Sequence, residues 1–158
     1  KRQPMATIFM LCGLPASGKT TLAAQLERDR PALRLCPDEW MARIVRDGYD
    51  HERREMIDQI QMEIAVRALE LGIDVVFESA GWSRADRDRQ RAMVAAVPGA
   101  EFKLIWLDVP HEELLRRLEA RNAALPAHTF PVEPDFFRQM TQWFEPPGPD
   151  ENAERRTA

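Results

Sequence analysis

Along the chain, short continuous apolar runs alternate with longer stretches whose apolar positions recur every three or four residues. This is the pattern of βα units on a parallel sheet. Ala6–Cys12 (ATIFMLC) is apolar on both faces and predicts a buried central strand. Gly18–Arg28 predicts a helix, Leu33–Cys36 a short strand broken by Pro37, and Glu39–Arg46 a second helix ending at the turn-like Asp47-Gly48. Glu52–Leu71 carries Ile57, Ile60, Ile64, Ala68 and Leu71 at helical spacing, one apolar stripe, with Gly72 as C-cap. Asp74–Glu78 is the third predicted strand and Ser83–Val97 a strongly charged helix stopped by Pro98-Gly99. Glu101–Asp108 is the fourth strand and Glu112–Asn122 the next helix. Ala123–Pro134, with three prolines, reads as a loop. Asp135–Phe144 reads as a last helix with Phe136, Phe137, Met140 and Phe144 inward, and Glu145–Ala158 is expected to fray.

Composition narrows the setting without changing the architecture. The 158 residues suffice for one domain with its own core, and 44% hydrophobic with 30% charged residues is ordinary for a globular protein. No run approaches the length of a membrane span, and Thr7–Cys12 is too short for a signal-peptide core. Cys12 and Cys36 are expected as reduced thiols, which points to the cytoplasm. The net charge of −4 argues against a broad nucleic-acid-binding face. Lys1–Pro4 do not enter the fold reading.

The most specific signal lies between the first strand and the first helix. Gly13-Leu14-Pro15-Ala16-Ser17-Gly18-Lys19-Thr20 fits G-x-x-x-x-G-K-[ST], the Walker A loop. Glycines let the backbone curl so that successive N–H groups converge on a phosphate, and the following helix adds its positive end. Lys19 then reaches the β- and γ-phosphates, the Thr20 hydroxyl offers itself to Mg²⁺, and Thr21 is counted with the loop among the nucleotide-binding residues. ATP and Mg²⁺ are the expected cofactors.

In open α/β sheets ligands gather beyond the carboxyl ends of the strands. Asp38, Glu78 and Asp108 all follow strands there. Asp38 fits two roles, a base toward an acceptor hydroxyl or the N-cap of the following helix. Glu78 suits a magnesium-bound water or the acceptor, and Asp108 a turn or cap. Arg117 and Arg121 share a helix face, where an anion between them would offset their repulsion. Glu113 and Glu112, each four residues before Arg117 and Arg116, offer ordinary ion pairs as the alternative. Trp82 and Arg84 or Arg87, just past Glu78, are candidates for the acceptor pocket.

In this order the motifs resemble the P-loop kinases grouped around polynucleotide 5′-hydroxyl kinase, with chloramphenicol phosphotransferase and zeta toxins further out. The similarity runs from about Thr7 to Phe144 and rests on Gly-x-Pro-x-Ser-Gly-Lys-Thr, on Asp38, and on Asp108-Val109-Pro110 followed by Glu113-Leu114, Arg117 and Arg121. The Arg121-Asn122 pair and Phe144-Glu145-Pro146-Pro147 look like bacterial members of that group. The resemblance implies a three-layer α/β P-loop fold with a five-stranded, mostly parallel sheet in adenylate-kinase-like order, the fifth strand resting on the resemblance alone. It implies a kinase domain over residues 5–145, a helical lid around 111–134 and a flexible tail, 146–158. It also implies that Asp38 activates the acceptor and that Arg117 and Arg121 engage ATP phosphates. Met41 stands where polynucleotide kinases keep an arginine, and Glu78 where they keep aspartate. A small-molecule hydroxyl is therefore the expected acceptor, ahead of a polynucleotide 5′-hydroxyl or a nucleotide-dependent switch acting on a protein partner.

Overall fold

A computed structural model describes residues 5–79 and 81–157, so Lys1–Pro4 lie outside it. Five strands form one sheet, β1 (Thr7–Cys12), β2 (Ala32–Leu35), β3 (Asp74–Phe77), β4 (Glu101–Leu107) and β5 (Glu154–Arg156), in the order β2-β3-β1-β4-β5. Every pairing is parallel, with Phe9 opposite Val76 on one side and Lys103 on the other. The helices are α1 (Lys19–Asp29), α2 (Pro37–Trp40), α3 (His51–Glu70), α4 (Arg84–Ala95), α5 (His111–Ala123) and α6 (Pro134–Trp143).

The two faces of β1 explain the three layers. Ile8, Met10 and Cys12 meet Met62, Ala65 and Leu69 of α3 and Val94 of α4. Phe9 and Leu11 meet Leu22 and Ala23 of α1. Burying each large apolar side chain contributes about 1.5–3 kcal/mol, so an apolar run needs cover on both faces. A third cluster, Leu14, Val109, Leu114, Leu118, Phe137 and Met140, seats α5 and α6 against the first turn of the glycine loop.

Three details depart from the sequence reading. On α3 the buried face is Ile57, Gln61, Met62, Ala65, Ala68 and Leu69, whereas Ile60 and Leu71 are exposed. The stripe is turned toward the sheet, and small Ala65 and Ala68 let the helix approach it. The helix expected over Glu39–Arg46 is α2 followed by a π-helical turn, Met41–Val45, closed by Arg46 N–H donating to the Met41 carbonyl at 2.8 Å. π turns of this kind often mark functional positions.

The third departure is the tail. Residues expected to fray form a 3₁₀ turn, Pro149–Glu151, and then β5, which pairs Ile105 with Glu154 and Leu107 with Arg156. Glu151 anchors it: both its carboxylate oxygens accept from the Arg87 guanidinium, at 2.8 and 3.1 Å, and both side chains are fully buried.

Candidate active site

The loop Gly13–Thr20 sits between β1 and α1, at the carboxyl edge of the sheet. Gly18 has φ 100° and caps α1 without any side chain, and Ala16 is held at φ 67°, a left-handed conformation uncommon for alanine. A Cβ on Gly13 would stand 2.7 Å from Ser17 Oγ and 3.0 Å from the Leu107 carbonyl oxygen, so any side chain there would force Ser17 or the end of β4 to shift. Ser17 N–H donates to Leu14 O at 3.2 Å and sets the curl. Pro15, between them, fixes φ at the start of that curl.

Lys19 folds back over this loop, its ammonium donating to the carbonyls of Gly13 at 2.7 Å and Leu14 at 3.1 Å. Desolvation pulls its pKa down, and the charge of Asp38 leads the groups that oppose the shift. Arg121 of α5 shows the same balance: burial lowers its pKa and the Asp38 charge raises it. Its Nε is buried without a partner among the described residues. Asp38 is thus the charge that opposes both shifts, on Lys19 and on Arg121, although the three residues come from separate elements.

Thr20 Oγ1 donates to Glu78 Oε1 at 2.8 Å, and Glu78 Oε2 accepts from Arg34 Nε at 2.6 Å. Glu78 is buried at the end of β3. Thr21 is exposed in the first turn of α1. Arg34, on β2, was not singled out from the sequence, because only the register Leu35 to Phe77 brings it beside Glu78.

Asp38 lies in the first turn of α2, whose N-cap is Cys36, so capping does not occupy its carboxylate. Oδ1 instead accepts from Arg54 Nη1 of α3. Arg54 is a second residue the sequence reading missed. Asp58, one turn further along α3, is pushed up to about pKa 7, chiefly by burial and against the pull of Arg54. Burial also raises the two thiols, Cys12 to about 11 and Cys36 to about 12.

Other expected positions take different roles. Arg87 is fully buried and donates to Glu151 and, through Nη1 at 2.6 Å, to the Gly81 carbonyl. It has no face left for an acceptor, and its role is to tie α4 to the tail. Arg84 is likewise taken by Asp88 and Asp150. Asp108 neither caps nor turns; its backbone N–H donates to Arg156 O at 2.7 Å and its carboxylate accepts from Arg155 Nε at 2.7 Å. Arg117 donates to Glu113 at 2.9 Å, the ordinary pair. Glu113, also bonded by Arg116, is held at about pKa 2. Asn122 clamps the loop after α5, donating to Val132 O and accepting from Val132 N–H. Trp82 packs at the edge of the cluster containing Leu14, with its indole N–H buried and unpartnered among the described residues. No helix of the described residues is long and apolar enough to cross a membrane.

A glycine loop of this form, on a parallel sheet ordered 2-3-1-4-5 under a helical cover, defines a kinase-like P-loop domain. The chain belongs to an AAA domain family (AAA_33), whose profile matches residues 8–147. No curated protein matches it. Among solved structures, Chaetomium thermophilum Kti12 in complex with ADP-AlF₃ is similar with a TM-score of 0.70 and 17% identity, over 95% of this chain and 88% of that one. Mycobacterium tuberculosis APS kinase CysC, in complex with AMPPNP and APS, is similar with a TM-score of 0.68 and 23% identity, over 98% and 89%. A chain of the Pnkp1/Rnl/Hen1 RNA repair complex gives a TM-score of 0.72 and 18% identity over 90% of this chain, which spans 45% of that one. At these identities the likeness is one of fold.

Proposed function

We propose that the protein is an ATP- and Mg²⁺-dependent phosphotransferase that moves the γ-phosphoryl group to a hydroxyl of a small-molecule acceptor. The observation that carries this reading is the curled Gly13–Thr20 loop between β1 and α1, with Lys19 folded over it and the Thr20–Glu78 pair beside it. Arg121 keeps its buried Nε without an acceptor among the described residues, and the Asp38 carboxylate has no capping duty.

The loop amides and Lys19 bind the triphosphate, and Arg121 closes on it from α5. Thr20 and Glu78 fit a divalent ion, being hard oxygen donors 2.8 Å apart beside the loop. Thr20 would hold the ion directly and Glu78 a water of its shell, and Mg²⁺ there supplies neutralisation of phosphate charge. Asp38 accepts the proton of the acceptor hydroxyl while that oxygen bonds to the γ-phosphorus. The bond from phosphorus to the β–γ bridging oxygen breaks, and ADP leaves. Positioning and charge stabilisation do this work, with no covalent intermediate.

The test is ADP release across a panel of hydroxylated metabolites, with Asp38→Asn beside the native protein. Transfer is expected to fall 10²–10⁴-fold in the variant, the scale for a removed general base. Full ATP turnover in that variant, with no acceptor present, would instead support a nucleotide-dependent switch. A 5′-hydroxyl polynucleotide kinase is favoured by the fold shared with the RNA repair chain. The net charge of −4 weighs against it. Labelled phosphate on a 5′-hydroxyl oligonucleotide, at rates above every metabolite, would reverse that order.

A further inference from the structure

The arginines around the cleft divide by whether their donors are already used. Arg34 is taken by Glu78 and Glu39, Arg87 by Glu151 and Gly81 O, and Arg117 leans on Glu113. Arg54 differs. It reaches Asp38 through Nη1, and its Nε and Nη2 meet no acceptor among the described residues. Its side chain is 29% exposed and that of Asp38 62%, so both are open to a ligand.

A guanidinium is a flat, permanently charged fork of five donors, and one carboxylate on Nη1 leaves an edge for a second anion. Arg54 comes from α3, not from the loop or α5 that carry Lys19 and Arg121. It therefore adds charge beside the base from an element separate from those that hold the triphosphate. Of the carboxylates nearby, Asp58 is held near pKa 7 by burial, which weakens its opposition to an incoming anion. Asp86, close to Asp58, already accepts from Arg89.

Resting on the phosphotransferase reading above, we propose that Arg54 receives an anionic group of the acceptor, which is a small hydroxy compound bearing a phosphate or carboxylate a few atoms from the reacting hydroxyl. The hydroxyl docks on Asp38 Oδ2, the oxygen not bonded to Arg54, and the anion docks on the free guanidinium edge. Two charge-assisted contacts, one from each residue, then fix the acceptor's register. A neutral acceptor makes the first contact and lacks the second.

The experiment uses the whole chain loaded with Mg²⁺ and AMPPNP, which fills the Walker loop. It is titrated calorimetrically with matched pairs, gluconate against glucose and glycerol 3-phosphate against glycerol. At least one anionic member is expected to bind tenfold or more tightly than its neutral partner, and the pair with the larger ratio separates carboxylate from phosphate recognition. In Arg54→Gln the ratio is expected to fall to within twofold of one. In Arg54→Lys, which keeps the charge and loses the fork, it is expected to fall between. AMPPNP affinity reports folding of each variant, and if the glutamine variant does not fold, the lysine variant decides. Equal binding of the partners, no binding of either anion, or a preference that survives both substitutions overturns the proposal. An Arg54-dependent preference without phosphoryl transfer from ATP would leave the anion site standing and remove the phosphotransferase reading instead.

Discussion

Lys19 donates its ammonium protons to the carbonyls of Gly13 and Leu14. In the proposed function a triphosphate would exchange those bonds rather than add to them, with the lysine already held over the loop. Arg121 is in the opposite condition, because its Nε is buried with no acceptor among the described residues. A buried unpaired donor costs about 1–3 kcal/mol, a cost that an anion would relieve. Arg121→Ala is therefore expected to lower kcat roughly 10²–10³-fold, the scale for one lost transition-state donor. A single-turnover assay at saturating ATP measures it. An equal loss in ATP affinity and none in kcat would make Arg121 a ground-state contact instead. Lys19, Arg121 and Asp38 are all candidates in the sequence; what it leaves open is whether Asp38 caps a helix, because no local rule distinguishes a capping aspartate from one that pairs with a distant arginine.

At the scale of elements the least expected part is the tail. Glu154-Arg155-Arg156 has no apolar alternation, and nothing in three charged residues announces a strand. Its place is decided by Glu151, which Arg87 and Arg91 grip and whose Oε2 accepts from Gly148 N–H at 2.8 Å. The same Arg87 holds the Gly81 carbonyl, to which the Cys12 thiol also donates, so the clasp reaches the residue preceding the Walker loop. Removing one partner of a buried pair leaves the other charge uncompensated, so Glu151→Ala is expected to cost roughly 3–5 kcal/mol in urea denaturation. Burial alone would raise the Glu151 pKa, but the bonds from Arg87, Gly148 and Arg91 bring it down to about 2 from an ordinary 4.5. A depressed carboxylate stabilises the fold above its unfolded pKa and loses that contribution as pH falls toward the folded one. The stability gap between native protein and Glu151→Gln is thus expected to be constant above about pH 5 and to shrink between pH 4.5 and 2. A gap independent of pH would show that the charge of Glu151 is not what holds the tail.

For the molecule as a whole, a ligand that binds the folded chain alone stabilises it by mass action, about 2.7 kcal/mol at a hundred times Kd. MgATP is therefore expected to raise Tm in the native protein and to do so far less in Lys19→Ala. An unmoved Tm at millimolar MgATP would mean that the loop takes no triphosphate. Much of this architecture is written locally. Ala6–Cys12 is apolar at every position but one, so it had to be a covered strand. Gly13 to Thr20 encode their own curl, since a side chain at position 13 would crowd Ser17 within the same loop. Those features follow from residue type and near neighbours, and the chain alone determines them. What needed three dimensions was every relation between distant segments: Arg54 on Asp38, Arg34 on Glu78, Arg87 withdrawn from the cleft to Glu151, and a charged tail completing the sheet. A guanidinium pairs with whichever carboxylate the packing of helices on the sheet brings within reach, and in this arginine-rich chain the sequence offers many partners while the fold chooses one.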